Sequence, residues 1–197
     1  MSTKEKILYA TLDLASKRGL GNVSLGEIAD LVGIKKSSLY AHFSSRDDII
    51  KELYLLLRQR AKENQQKTTI NMLELFKEDA ESILITVINS YINLNSEEHM
   101  KQFYILIESE QPFNNNAAQI LVDETNLMVN YCIGLMKLLN DYGKLKIKDT
   151  ALAGTIFAFT THQMIQQNSM RLRLNVKDTK YKNEIYDFAK GFVSLYK

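Results

Sequence analysis

The stretch from Ser24 to Phe43, SLGEIADLVGIKKSSLYAHF, constrains the fold of this chain more than any other feature. Ser24 followed by Glu27 forms a capping-box pattern, in which a serine hydroxyl and a glutamate carboxylate satisfy amide groups that a helix start leaves unpaired. This pattern predicts a helix that begins near Leu25. Gly33 can adopt the left-handed backbone conformation without a Cβ clash, so we expect it to end this helix in a tight turn.

A second short helix is predicted over residues 36–43, at a steep angle to the first. Leu39 and Phe43 lie four residues apart and therefore share its buried face. A helix-turn-helix of this kind places its second helix in the DNA major groove, which is wide enough to admit a helix. The opposite face of the predicted helix carries donors of a length that suits phosphates and base edges, namely Lys36, Ser37, Tyr40 and His42.

A longer pattern surrounds this motif. Its members are Ile7, Leu8, Ala10, Gly19, Ser24, Ile28-Ala29, Gly33-Ile34, Leu39-Tyr40-x-His42-Phe43 and Ser45-Arg46-x-Asp48-Ile49. In this combination the first quarter of the chain resembles the TetR family of transcriptional regulators. The resemblance implies a DNA-binding domain followed by a variable helical ligand domain whose last two helices pair with those of a second copy. It also implies a small-molecule effector.

Three residues depart from the family pattern. Ala15 stands where Phe is common, and Gly26 lies inside the first motif helix, at a cost of about 1 kcal/mol relative to Ala. Lys35 replaces the usual Ser or Thr cap of the second helix. From the motif and the resemblance together, we predict nine DNA-binding residues: Lys4, Ser24, Lys35, Lys36, Ser37, Ser38, Tyr40, His42 and Arg46.

The bulk charge gives little support to DNA binding. The 197-residue chain has a formal net charge of only +2, and residues 1–50 hold seven basic and six acidic residues. Any DNA-binding surface must therefore come from the local arrangement of side chains.

The remaining composition indicates a soluble, cytoplasmic, all-α protein without membrane contact. One Pro and eight Gly leave few helix breakers, and no apolar run approaches the roughly 18 residues that span a bilayer. The polar first residues are unlike a signal peptide. Cys132 is the only cysteine, so an intramolecular disulfide is excluded.

We predict a helix-turn-helix domain over residues 1–46 and a helical ligand-binding and dimerisation domain over residues 47–197. A first helix over residues 3–18 packs on the motif, and Ser45 with Asp48 caps a fourth helix that runs to Arg60 or beyond. Further helices are predicted over residues 71–93, 96–110, 117–142, 149–170 and 179–196.

No catalytic, metal or cofactor site is predicted. His42, His99 and His162 each stand alone in their elements, and no phosphate-binding glycine loop or nucleophile elbow occurs. The middle helices are rich in aromatic and flexible apolar residues, most of which belong to a core. A few could line an effector pocket. Our candidates for that pocket are Tyr91, Phe103, Tyr104, Met128, Tyr131, Cys132, Phe159 and His162.

The last two predicted helices carry wide apolar faces, which burial within one chain explains as well as a dimer interface does. The family resemblance favours the dimer. We therefore predict a homodimer that binds a near-palindromic double-stranded DNA operator and represses transcription until an effector binds. Two alternatives stay open: a constitutive DNA-binding factor without a small-molecule ligand, and a small helical enzyme with a fortuitous motif.

Overall fold

The computed structural model describes residues 1–67, 72–175 and 183–197, and every regular element in these ranges is helical. This confirms the predicted all-α class. Among the described residues, no helix has the length and apolarity that a membrane crossing requires. The helices are α1 (Thr3–Arg18), α2 (Leu25–Val32), α3 (Lys36–Tyr40), α4 (Arg46–Lys67), α5 (Met72–Leu75), α6 (Ala80–Ser96), α7 (Glu98–Glu110), α8 (Asn115–Asp141), α9 (Thr150–Arg173) and α10 (Glu184–Ser194), with a 3₁₀ turn at Leu20–Asn22.

The chain divides into two compact units. The first contains Met1–Thr69 and Leu94–Glu124, and the second contains Ile70–Asn93 and Thr125–Lys197. The first unit is therefore larger than the predicted domain of residues 1–46, because α4, α7 and the start of α8 pack with the helix-turn-helix. The functional boundary near residue 47 stays a prediction, since packing alone does not show where DNA binding ends.

The core of the first unit joins the motif to helices distant in sequence. Ile7 and Leu12 of α1 and Ile28 of α2 are buried with Leu53 of α4 and Phe103 of α7. Three short helices alone bury too little apolar surface for a stable domain. The added helices supply the support that the small motif needs.

The second unit has its own core, formed by α6, α9, α10 and the later part of α8. Phe157 of α9 packs against Phe188 and Phe192 of α10, with ring centroids 5.7 and 5.1 Å away. Phe192 is only 3% exposed. The apolar face of α10 is therefore largely occupied within its own unit.

The predicted single helix over residues 71–93 is wrong: the chain forms α5, a bend and then α6. The carboxylate of Asp79 accepts a hydrogen bond from the Ser82 amide at 2.9 Å and so caps a new helix start. The second motif helix ends at Tyr40, before the predicted Phe43. The predicted start of the last helix at Thr179 lies outside the described residues.

One close approach fixes how α8 and α9 pack in the second unit. A Cβ added to Gly154 of α9 would lie 2.6 Å from the Cα and the backbone nitrogen of Ile133 in α8. Only a residue without a side chain fits there, because backbone atoms cannot rotate away as a side chain can.

We expect Gly154→Ala to destabilise the protein by about 1–3 kcal/mol, the usual range for overpacking. Gly134→Ala is the matched control, because Gly134 faces open space in the same pair of helices. It should be neutral or stabilising by about 0.4–1 kcal/mol, since alanine restricts the unfolded chain. Thermal or urea unfolding measures both changes, and equal stability of the two variants would contradict the close approach.

The second unit also holds a half-buried polar pair. The Tyr91 hydroxyl and His162 Nδ1 share a hydrogen bond of 2.9 Å between α6 and α9. Burial lowers the pKa of His162 below its ordinary value. The folded protein therefore favours the neutral imidazole.

Because the unfolded chain takes up a proton at this site more readily than the folded protein, the stabilisation is present above the ordinary histidine pKa of about 6.5 and is lost as pH falls below it. We expect wild-type stability to decline between pH 7 and pH 5 more steeply than that of His162→Gln. Parallel pH profiles for wild type and His162→Gln would refute this assignment.

Candidate nucleic-acid interface

The first helix of the motif begins and ends as the sequence predicts. The Glu27 amide donates to Ser24 Oγ at 3.1 Å, and the Ser24 amide donates to Glu27 Oε2 at 2.8 Å. The hydrogen bond from the Ser24 amide, then the Ser24 side chain and Arg18, whose guanidinium lies 3.2 Å away, lower the pKa of the Glu27 carboxyl. Gly33 has φ of +75° and closes α2 in the left-handed conformation. Sequence and structure therefore agree on the geometry of the turn.

The second helix, α3, starts at Lys36 without a side-chain cap. Lys35 occupies the cap position with an extended backbone, and its side chain cannot accept an amide hydrogen bond. The helix has only five residues. Leu39 is 0% exposed and Phe43 is 3% exposed, so the inner side of α3 and of the turn that follows is anchored in the core.

The outer side of α3 presents most of the predicted DNA-binding residues. Tyr40 is 51% exposed although its ring is large and apolar. Within the described part of the chain, none of these side chains makes a hydrogen bond or ion pair that would hold it back from a ligand. The residues that share this exposed, unengaged state are Lys35, Lys36, Ser37, Ser38, Tyr40 and His42.

The other three predicted DNA-binding residues are already engaged inside the protein. Lys4 forms an ion pair with Glu52 at 2.9 Å, and Ser24 caps α2. Arg46 donates to the carbonyl oxygen of Val23 at 2.7 Å and to that of Leu20 at 3.3 Å. Each would have to exchange or share these partners to contact DNA.

The start of α4 confirms the predicted cap. The Asp48 amide donates to Ser45 Oγ at 3.1 Å, while the Asp48 carboxylate accepts hydrogen bonds from the amide and hydroxyl of Ser44. The hydrogen bonds from the Ser44 hydroxyl and amide lower the pKa of the Asp48 carboxyl. The helix that follows the motif thus begins at a fixed place.

Sequence reasoning missed several polar residues that hold the first unit together. Glu110 Oε1 accepts a hydrogen bond from the Leu20 amide at 3.0 Å. Asn114 and Asn116 donate to the Asp47 carboxylate at 2.9 and 3.2 Å. These partners lie roughly 67 to 90 positions apart in the chain. No local pattern could have revealed them.

A carboxylate on α8 ties α4 and α7 together. Glu124 accepts hydrogen bonds from the hydroxyls of Tyr54 at 3.0 Å and Tyr104 at 3.1 Å, and it pairs with Arg58 Nε at 3.0 Å. Burial, followed by the nearby Glu124 charge, raises the pKa of Tyr54 to about 12. Tyr104, a predicted effector residue, serves here as a structural donor.

The predicted effector residues are divided between the two units. Phe103 and Tyr104 belong to the first unit, whereas the other six belong to the second. Among those six, Tyr91 and His162 are brought together by their hydrogen bond. The remaining four are described by their exposure: Cys132 is buried, Met128 is partly buried against the core, and Tyr131 and Phe159 are about half exposed.

Two buried polar groups of the second unit are the Cys132 thiol and the Thr161 hydroxyl. Burial raises the pKa of the Cys132 thiol to about 11, so it stays protonated and poorly nucleophilic at neutral pH. The Thr161 hydroxyl is buried and has no hydrogen-bond partner among the described residues. Among all the residues that the structure describes, no group of three or more His, Cys, Asp or Glu side chains is placed to hold a metal ion.

Comparison with known proteins identifies the motif. Residues 7–53 match the family model described as bacterial regulatory proteins, tetR family. The HTH-type transcriptional regulator AcrR of Shigella flexneri is 29% identical over 129 residues. That match covers 64% of this chain and 57% of AcrR, so it spans little more than half of the relative's length.

Solved structures share the fold over nearly the whole chain. A TetR transcription regulator from Haloarcula marismortui has a TM-score of 0.73 at 13% identity and covers 98% of this chain and 97% of that one. A transcriptional regulator from Saccharomonospora viridis, solved in complex with choline, has a TM-score of 0.68 at 17% identity and covers 97% and 95%. Since identity this low establishes the fold alone, the matched motif carries the assignment. Residues 7–53 of this chain therefore match the tetR family of bacterial regulatory proteins, and the chain shares its fold with solved TetR structures over nearly its whole length.

Proposed function

We propose that this protein is a transcriptional repressor that binds a near-palindromic operator as a homodimer in the bacterial cytoplasm and leaves it when a small-molecule effector binds. The observation that carries the proposal is the two-sided nature of α3. Its inner side is fully buried at Leu39, and its outer side offers unengaged donors, to which Lys35 before the helix and His42 after it are added. A short helix with this arrangement suits insertion into a major groove.

The charges on α3 suit DNA in kind and in position. Lys35 and Lys36 bring two positive charges to the beginning of the helix, where DNA phosphates can lie beside backbone amides as well. Ser37, Ser38 and Tyr40 add hydroxyl groups that can donate to phosphate or to base edges. The surface of α3 therefore provides the positive charge and the hydrogen-bond donors for DNA that the small net charge of the chain does not indicate.

The dimer proposal rests on α9. Leu152, Ile156 and Phe159 are spaced as one helical stripe and are 56%, 45% and 50% exposed. The apolar residues of α10 that suggested a dimer face from sequence are instead largely buried in their own unit. Outward-facing Gly191 of α10 leaves room for close approach of another helix. A second copy covering this stripe would give the two-fold symmetry that presents two reading helices to DNA.

The effector proposal rests on polar groups within the apolar second unit. Ligand pockets between helices are mostly apolar with a few polar groups that orient the ligand. Tyr91, His162 and the unpartnered hydroxyl of Thr161 are groups of this kind on α6 and α9. The choline complex of the Saccharomonospora viridis regulator supports a small-molecule ligand in a protein of this fold.

Lys36→Ala should weaken binding to all DNA sequences alike and reduce the salt dependence of binding by about one counterion, because a lysine at a phosphate acts through counterion release. Tyr40→Phe should also weaken binding, since it removes a hydroxyl while keeping the ring. Lys137→Ala, at an exposed lysine of α8, is the control. Titration of operator DNA at several salt concentrations measures these effects. Wild-type affinity and salt slope in both α3 variants would refute the proposed surface.

Phe159→Glu should convert the dimer into a folded monomer with much weaker operator binding, because a charge in an apolar interface loses its hydration. Phe159→Leu keeps the apolar contact and should stay dimeric. Phe192→Glu should instead prevent folding, since Phe192 lies in the core of its own unit. Light scattering and circular dichroism separate these outcomes. A dimeric Phe159→Glu variant with full operator affinity would place the interface elsewhere.

An effector can release DNA only if it binds better to a form of the dimer that binds operator poorly. Linkage then requires operator to weaken effector binding by the same factor, typically about 5- to 150-fold. A ligand found by thermal shift should therefore bind less tightly when operator is present, as calorimetry would measure. Equal affinities with and without operator would favour the constitutive DNA-binding factor.

A further inference from the structure

The turn that precedes α2 is held from two sides by charged side chains. Glu110, at the end of α7, accepts a hydrogen bond from the Leu20 amide at 3.0 Å. Arg46, at the start of α4, donates to the carbonyl oxygens of Leu20 and Val23 at 3.3 and 2.7 Å. We call Arg46 and Glu110 the turn clamp. It pairs with one backbone donor and two backbone acceptors in the segment that contains the 3₁₀ turn Leu20–Asn22.

The clamped segment determines where the helix-turn-helix begins. Leu20 and Val23 are 4% and 1% exposed, so the Leu20 amide and the Val23 carbonyl would be costly to leave unpaired, whereas the Leu20 carbonyl also accepts a hydrogen bond from the Val23 amide at 3.2 Å. Val23 is followed directly by Ser24, which caps α2. Hydrogen bonds that involve a charged group are shorter and stronger than neutral ones. A change at the clamp would therefore move the first helix of the motif and, with it, α3.

A neighbouring contact reinforces the same connection. The Asp47 carboxylate, next to Arg46, accepts hydrogen bonds from Asn114 and Asn116 in the segment that follows α7. Residues at the end of α7 and the beginning of α8 thus form hydrogen bonds with both the turn before α2 and the first turn of α4. These residues, Glu110, Asn114 and Asn116, lie outside the predicted DNA-binding domain of residues 1–46.

We propose that Arg46 and Glu110 are positioning residues for DNA binding, which hold the helix-turn-helix in its operator-binding orientation, and that Arg46 acts through the turn and not as a phosphate ligand. The proposal rests on the DNA-binding function proposed above. It assigns Arg46 a role different from that of Lys36, whose side chain is free to reach DNA. It also gives α7, through Glu110 and the turn, an indirect part in DNA binding from outside the motif.

The experiment compares Arg46→Ala, Glu110→Ala and Glu110→Gln with Gln111→Ala, a control at an exposed neighbour of Glu110. For each folded protein, the affinities for a selected operator and for unrelated DNA are measured over a range of salt concentrations. Amide hydrogen exchange at Leu20 is measured without DNA. The Gln variant removes the charge of Glu110 but keeps an oxygen that can accept the Leu20 hydrogen bond.

Arg46→Ala and Glu110→Ala should each lower operator affinity at least about fivefold, the lower end of typical coupling between sites, with little change for unrelated DNA. Their salt slopes should match wild type. Glu110→Gln should restore both operator affinity and slow exchange at Leu20, and Gln111→Ala should behave as wild type.

Three results would overturn the turn clamp. The first is a salt slope that falls by about 0.9 in Arg46→Ala with equal weakening on all DNA, which is the behaviour of a phosphate contact. The second is identical behaviour of Glu110→Ala and Glu110→Gln, which would indicate an effect of charge alone. The third is wild-type affinity in both alanine variants. If wild type itself prefers no DNA sequence, the proposed function fails, and the clamp's part in DNA binding fails with it.

Discussion

Burial of Leu39 is the interaction on which the DNA-reading surface depends. An isolated helix of five residues has no stability in water, because nucleating a helix costs more than so few hydrogen bonds return. The position of α3 is therefore decided by tertiary contacts of its inner side, with Leu39 and Phe43 in the core of the first unit. The missing cap at Lys35 is tolerated for the same reason. The buried Leu39 and Phe43 therefore also determine where the exposed donors of α3 lie.

The anchor is in turn supported by polar contacts that fix the surrounding helices. α4 begins next to the motif and carries Tyr54 and Arg58, which meet Glu124 of α8. The motif is also held at the turn before α2, where Glu110 and Arg46 form hydrogen bonds with its backbone. Charged and hydroxyl groups thus set the orientation of helices whose stability comes from apolar burial.

Local chemistry made the motif predictable from sequence. The box of Ser24 with Glu27, the turn at Gly33 and the cap at Ser45 each depend on residues within four positions of one another, and each is confirmed. The break before α6 has a local signal as well, in Asp79 with Ser82, which a continuous apolar pattern obscured.

Contacts between distant segments could not be predicted in this way. Helical periodicity shows which face of a helix is apolar, but not which neighbour covers it. Phe103 and Phe159 are both aromatic residues of predicted middle helices, yet the first is buried in one unit and the second is half exposed in the other. Glu110 resembles an ordinary solvated charge until the fold brings Leu20 to it. The residue-level DNA contacts and the effector site therefore stay predictions.

Selection of binding sites from random DNA by the purified protein, followed by footprinting, tests the central claim most directly. A dimer that reads DNA through α3 should enrich an inverted repeat whose half-site centres lie about 10 bp, or a small multiple of that, apart. Two chains should protect each site, and substitutions on the outer side of α3 should abolish the enrichment. Failure to enrich any sequence, or protection of a lone half-site by one chain, would contradict the account.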